Sequence, residues 1–91
     1  RVHSLRRGAA EGIEVIARGN SKTSKVIGRS LAEIELPPGT IIGAVIRNEQ
    51  TWIANNRQLI IEPEDHLILF VVNKSYIHDV ERLFQVNESF F

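Results

Sequence analysis

Histidine, serine and glycine are the residues of this chain that most directly suggest chemistry, and their spacing argues against familiar catalytic sites. The three histidines, His3, His66 and His78, are far apart, and none stands at a metal-binding spacing such as His-Glu-x-x-His. His78 is followed by Asp79, but adjacent residues on a helix point to different faces. We interpret the histidines as surface residues and expect no metal site.

The serine and glycine patterns lead to the same expectation. No Gly-x-Ser-x-Gly nucleophile motif is present. The six glycines form neither the Gly-x-Gly-x-x-Gly nor the Walker pattern that cradles phosphates. We therefore predict a non-catalytic domain that carries no cofactor of its own.

Two arginines are the residues best suited to bind a small anionic ligand. Arg29 and Ser30 follow Gly28 at a predicted helix start, where free backbone amides and a nearby cation favour anions. Arg47 ends a predicted strand, where it can reach an anion or pair with Glu49. A solvated Arg29 and a glycine that eases packing would explain the same residues without a ligand. The candidate ligand-binding residues are Arg29, Ser30 and Arg47.

Length and composition restrict the class of protein. The 91 residues correspond to one domain with a modest core, and 43% of them are hydrophobic. Eleven basic residues balance eleven acidic ones, so the basic excess of nucleic-acid binders is absent and we expect no nucleic-acid partner. Without cysteine there can be no disulfide and no thiolate metal site. The longest apolar run, from Leu67 to Val72, is too short to span a bilayer.

Hydrophobic periodicity predicts a small α+β fold. Alternation from Ile13 to Arg18 indicates a strand. The shared helical face of apolar residues within 24–34 indicates a short helix that starts at Ser24 or at Ser30, with a Ser30–Glu33 capping box. Later strands are predicted at 40–47, 51–54, 59–61 and 67–72, with a type I turn at 62–65. The final helix is predicted over about residues 75–84, capped by Asn73 or Ser75. The order is β-α-β-β-β-β-α, a small mixed, mainly antiparallel sheet with two helices.

The strands at 41–46 and 67–72 are apolar on both faces, which matters for assembly. A half-exposed antiparallel strand should alternate between apolar and polar residues. Two short helices cover only part of such a sheet, so apolar surface is left for a partner. A homodimer is the simplest expectation. The alternatives are that residues 1–11 fold back over the face or that a preceding domain covers it.

Several motifs in a fixed order resemble one known family. They are Val26-Ile27-Gly28-Arg29-Ser30-Leu31-Ala32-Glu33-Ile34, Leu36-Pro37, Ala44-Val45-Ile46-Arg47, and Leu59 followed by Asp65-His66-Leu67-Ile68. This pattern resembles the RCK C-terminal (TrkA-C) domain. Residues 2–11 and 79–84 are similar, within the family, to the last domain of Trk potassium-uptake regulators. One departure is Glu64-Asp65, where the family often has Gly-Asp.

The resemblance implies an organisation and a function. Residues 1–11 would be a lead-in, 12–86 the regulatory domain and 87–91 a tail. The domain would be the dimerisation and regulatory module of a cytoplasmic subunit that gates a bacterial Trk potassium uptake system, with a small regulatory ligand as a further expectation.

The resemblance also implies partners. The subunit would lie on the inner face of the plasma membrane through a membrane-embedded potassium transporter subunit. A preceding Rossmann domain would carry NAD(H) or another nucleotide. The alternative is a ligand-sensing TrkA-C domain attached to another transporter or to a metabolic enzyme.

Overall fold

The chain folds around one antiparallel sheet. The structure is a computed structural model that describes residues 2–5 and 10–85. The strands are β1 (Val2–Leu5), β2 (Ala10–Ile16), β3 (Thr40–Arg47), β4 (Gln50–Ile53) and β5 (His66–Val71). Their order in the sheet is β1-β2-β5-β3-β4, and each described pairing is antiparallel. The predicted α+β class with a mainly antiparallel sheet is confirmed.

The final helix also agrees with the prediction. A 3-10 turn, Lys74–Tyr76, runs directly into α1, Ile77–Leu83. The side-chain oxygen of Asn73 accepts a hydrogen bond from the Ser75 amide at 3.0 Å and so caps the turn. Val80 and Phe84 are buried, as the apolar stripe of this helix predicts.

Of the short helix predicted within residues 24–34, only a 3-10 turn, Leu31–Glu33, forms, so a start at Ser24 is wrong and a start at Ser30 with the Ser30–Glu33 capping box is confirmed. Gly28 has a φ of +85°, which is incompatible with a right-handed helix. The segment instead bonds to residues 57–61, with Gly28 N donating to Ile61 O at 2.8 Å and Ile61 N donating to Arg29 O at 3.0 Å. These tertiary hydrogen bonds replace the local ones that a helix would need.

Two further predictions about strands need correction. The strand expected at 59–61 is only an isolated bridge between Ile60 and Ser30. Residues 2–5, expected as an extended lead-in, are extended but also pair with β2 and widen the sheet by one strand. The predicted tail at 87–91 lies outside the described residues, as do residues 6–9 of the predicted lead-in.

The hydrophobic core lies on one face of the sheet. Inward-facing strand residues alternate with outward ones along β5, where Leu67, Leu69 and Val71 are fully buried. Non-strand segments within 17–39 and 54–65, together with α1, close over this inner face. Their buried apolar residues are Ala17, Val26, Ile27, Leu31, Ile34, Ile61, Val80 and Phe84.

Tight turns join the elements. The β3–β4 hairpin turns at Asn48 and Glu49, which have φ values of 52° and 64°, as a type I′ turn requires. The turn at 62–65 contains Pro63 and then Glu64 at a φ of 69°. Because positive φ at the third position defines type II, the type I prediction for this turn is wrong.

Candidate functional site

The outer face of the sheet is the most extensive candidate site. Because side chains alternate between the two faces of a strand, the strand residues that point away from the core lie on this side. We define the open face as Ile16 of β2, Ile41, Ala44 and Ile46 of β3, Ile53 of β4, Ile68 and Phe70 of β5, and Val72 just beyond β5. None of these side chains belongs to the buried core or packs against it. The open face is an apolar surface that the described part of the chain leaves uncovered.

Three residues of the open face are strongly exposed. Ile41 is 60% exposed, Ile53 66% and Val72 60%. Ile41 and Val72 stand near the same end of β3 and β5, since Thr40 is paired with Val71 and Val72 N donates to Gly39 O at 3.0 Å. A monomeric soluble protein rarely leaves such branched side chains grouped in water. The sequence prediction of apolar surface left on these strands is confirmed.

A β-bulge shapes the centre of this face. The pairing of β3 with β5 shifts between Ile42 and Ala44, so that Gly43 is the extra residue. A Cβ atom on Gly43 would lie 2.6 Å from Cε2 of Phe70. Glycine is therefore required for the Phe70 ring to lie directly against the β3 backbone.

One polar pair lies among the apolar residues of the open face. His66 Nδ1 and Glu14 Oε2 are 2.9 Å apart, joining β5 to β2. Both side chains are partly exposed. The sequence alone offered no sign of this contact, because the two residues are 52 positions apart.

Arg47 is held inside the protein framework. Its Nε and Nη2 donate to Asp65 Oδ1 and Oδ2 at 2.8 and 2.7 Å, and Nη2 also donates to Ile60 O at 2.9 Å. Nη1 lies 3.0 Å from a Glu62 carboxylate oxygen. The hydrogen bond to Asp65 raises the pKa of Arg47. Sequence reasoning considered Glu49 as the partner and missed Asp65, although Arg47 and Asp65 both belong to the motif pattern.

Arg29 and Ser30 are neighbours in the chain, and neither takes part in the ion pair that Arg47 forms with Asp65. Arg29 is exposed and Ser30 is buried. The Ser30 amide donates to Glu33 Oε1 at 2.8 Å, and this hydrogen bond is the main cause of the lowered pKa of Glu33. The amides of residues 28, 29 and 31–34 also donate to backbone oxygens. The free amides that motivated an anion site are thus already bonded, and ligand contact through Arg29 stays a prediction.

Within residues 2–5 and 10–85, no group of three or more histidine or acidic side chains is arranged to hold a metal ion. The helices of that same part are too short or too polar to cross a membrane.

The TrkA-C domain family model matches residues 20–85. The Trk system potassium uptake protein TrkA of Halomonas elongata is 57% identical over 90 residues, which cover 99% of this chain and 20% of that protein. The protein of the same name from Vibrio alginolyticus is 55% identical over 89 residues, covering 98% and 19%. The chain therefore spans about a fifth of the length of these relatives.

A solved structure shares the fold. It is described as the RCK_C domain dimer of S. agalactiae BusR in complex with c-di-AMP. The match covers 80% of this chain and 93% of that one, with a TM-score of 0.64 and 23% identity. The family model matches most of the chain, and the two potassium-uptake relatives and the shared fold agree with it. This chain therefore belongs to the TrkA-C domain family.

Proposed function

We propose that this chain is the regulatory and dimerisation domain of a cytoplasmic subunit that gates a bacterial Trk potassium uptake system. The observation that carries the proposal is the 55–57% identity to two TrkA proteins over nearly the whole chain. Because the chain corresponds to about a fifth of those proteins, it acts as one module of a longer subunit. The membrane-embedded transporter subunit is the partner that the longer protein regulates.

The open face is the proposed dimerisation surface. Burying an aliphatic side chain of this size contributes about 1.5–3 kcal/mol relative to leaving it in water. Ile41, Ile53 and Val72 are each more than half exposed, and a twofold contact uses every one of them twice. The formal net charge of zero adds no long-range repulsion between two copies.

The Glu14–His66 pair gives such a dimer a preferred orientation. A polar pair within an apolar contact loses its bound water on association. This loss costs free energy unless the partner offers hydrogen-bonding groups. Orientations that leave the pair at the rim or match it with polar groups are therefore favoured. This is how a largely apolar surface achieves a single mode of pairing.

The expected small regulatory ligand belongs to the same proposal. The related fold of BusR is described as a dimer in complex with c-di-AMP, which supports testing that nucleotide on this domain. Arg29 is the candidate side chain, since Arg47 is already bound to Asp65. NAD(H) or another nucleotide is proposed for the preceding Rossmann domain rather than for this one.

The function is tested by complementation in a bacterium that lacks its own Trk regulatory subunit. The full-length protein containing this chain should restore growth at limiting potassium. Ile41→Glu with Ile53→Glu should abolish that growth, because both charges fall on the dimer surface. The matched control is Ile60→Glu, an isoleucine that is 45% exposed and lies off the open face, and it should retain growth.

The outcomes separate the parts of the proposal. If the unaltered protein fails to restore growth although it is expressed, the potassium function is wrong. Full growth with the open-face double variant would instead show that gating does not need this surface.

A further inference from the structure

The segment from residue 18 to residue 32 concentrates positive charge in a neutral chain. It contains Arg18, Lys22, Lys25 and Arg29 and no acidic residue. Arg18 lies 3.4 Å from Glu64, so one of these charges is already compensated. Lys22, Lys25 and Arg29 are exposed, and none forms an ion pair within the described residues. Charge is thus gathered on one loop although the chain as a whole is balanced.

The fold brings a further cation, Arg57, to the end of this segment. Ala32 N donates to Arg57 O at 2.9 Å, and Leu31 N donates to Leu59 O at 3.0 Å. These hydrogen bonds place residue 57 beside the end of the basic segment. Arg57 is exposed and likewise has no ion pair among the described residues. We call Lys22, Lys25, Arg29 and Arg57 the basic loop surface.

The loop holds these cations on an ordered backbone. Asn20 Oδ1 accepts the Lys22 amide at 2.8 Å, which fixes the first turn. The Ser24 hydroxyl accepts the amides of Val26 and Ile27 at 3.1 and 3.2 Å, and both of those side chains are buried. Exposed cations therefore alternate with buried anchors. A partner that binds here meets a preformed loop, so little backbone order is lost on binding.

Glu33, the next acidic residue along the sequence, forms no ion pair with the basic loop surface. Glu33 accepts the Ser30 amide at 2.8 Å, and that bond orients its carboxylate toward the loop backbone. The charge of Arg29 contributes to the lowered pKa of Glu33, but no ion pair forms between them.

We propose that Lys22, Lys25, Arg29 and Arg57 form a docking surface for an acidic segment of another protein. Two of the cations are arginines, whose planar guanidinium groups match carboxylates in a bidentate geometry. Every exposed residue within 18–30 is charged, polar or glycine, so the loop has no apolar side chain to insert into a lipid surface. Four cations without an aromatic residue are also too few for a typical nucleic-acid surface.

The location of the surface is compatible with the proposed dimer but does not depend on it. The loop covers the inner face of the sheet, whereas the open face is on the opposite side. A dimer through the open face would carry two copies of the basic loop surface directed away from the interface. A partner with two acidic segments would then bind with increased avidity.

The test uses the 91-residue chain and a fluorescent peptide that alternates glutamate with glycine. Fluorescence anisotropy at about 50 mM and about 150 mM salt measures the Kd and its dependence on screening. Lys25→Gln with Arg29→Gln should weaken binding about tenfold, since the variant loses two exposed cation–carboxylate contacts. The control, Arg18→Gln with Arg82→Gln, also removes two exposed cations and should change the Kd less than about twofold.

The remaining arms of the experiment decide between partner classes. Circular dichroism verifies that both variants are folded. Equal weakening by the two double variants would overturn the proposal, because binding would then follow total charge. Tighter binding to vesicles of phosphatidylglycerol and phosphatidylcholine, or to a DNA duplex, than to the peptide would also overturn it and identify a lipid or nucleic-acid surface instead.

Discussion

At the scale of single residues, the turn before β5 shows how this chain departs from its family. Glu64 occupies the position where the motif often has glycine, and it adopts a φ of 69°. A residue with a Cβ is strained in this region, whereas glycine is not. The turn is nevertheless closed, since Asp65 N donates to Glu62 O at 3.2 Å. The turn is thus closed at the cost of local strain at Glu64.

Glu64→Gly should therefore stabilise the domain. Relief of the left-handed strain exceeds the extra chain entropy of glycine, and we expect a gain of about 0.5–1 kcal/mol in the free energy of unfolding. The substitution also removes the exposed Arg18–Glu64 ion pair, which contributes little. Urea denaturation measures the change, and Arg18→Gln controls for the lost pair. A lower unfolding midpoint for Glu64→Gly would contradict the strain argument.

The ion pair between Arg47 and Asp65 was only partly predictable from the sequence. Arg47 was recognised as an important cation, but its partner could not be read from local spacing because Asp65 is 18 positions away. Asp65 is 1% exposed and also accepts the Glu62 amide at 2.8 Å, so the pair fixes the turn to the end of β3. The position of Arg57 beside the segment that carries Arg29 was not predictable for a similar reason, since tertiary hydrogen bonds bring residue 57 there.

At the scale of elements, strands with strong patterns were predictable and segments with competing partners were not. The β3 boundaries agree with the prediction at 40–47 because β-branched residues run between two turns. The segment 24–34 carries a helical apolar pattern, yet its backbone bonds to residues 57–61. The same apolar side chains, Val26, Leu31 and Ile34, are still buried. Periodicity therefore identified which residues enter the core without identifying the conformation that brings them there.

The bulge in β3 gives an element-scale prediction. Gly43→Ala should displace the Phe70 ring, because the new Cβ would approach its Cε2 atom at 2.6 Å. We expect a loss of about 1–3 kcal/mol in the free energy of unfolding, as for other overpacked sites. In a Phe70→Leu background the alanine should cost much less, since the ring edge is gone. Equal costs in both backgrounds would show that the penalty comes from the bulge backbone and not from the ring.

At the scale of the whole molecule, the arrangement of layers decides how the domain can assemble. The sheet has its core on one side, where non-strand segments and α1 cover it, and the open face on the other. The sequence indicated this asymmetry through strands that are apolar on both faces. It could not indicate which side would be covered, because that depends on where the segments between strands cross the sheet.

The open face predicts that the isolated chain is a dimer at micromolar concentration. Sedimentation should give about twice the 10.3 kDa chain mass, and the melting temperature should rise with protein concentration because folding and association are linked. Ile41→Glu should give a monomer, since a twofold contact through this face would bury two unpaired carboxylates. Ile60→Glu, equally conservative in size but off the open face, should remain dimeric. A monomeric mass for the unaltered chain at all concentrations would rule out this dimer and favour cover of the open face within the chain.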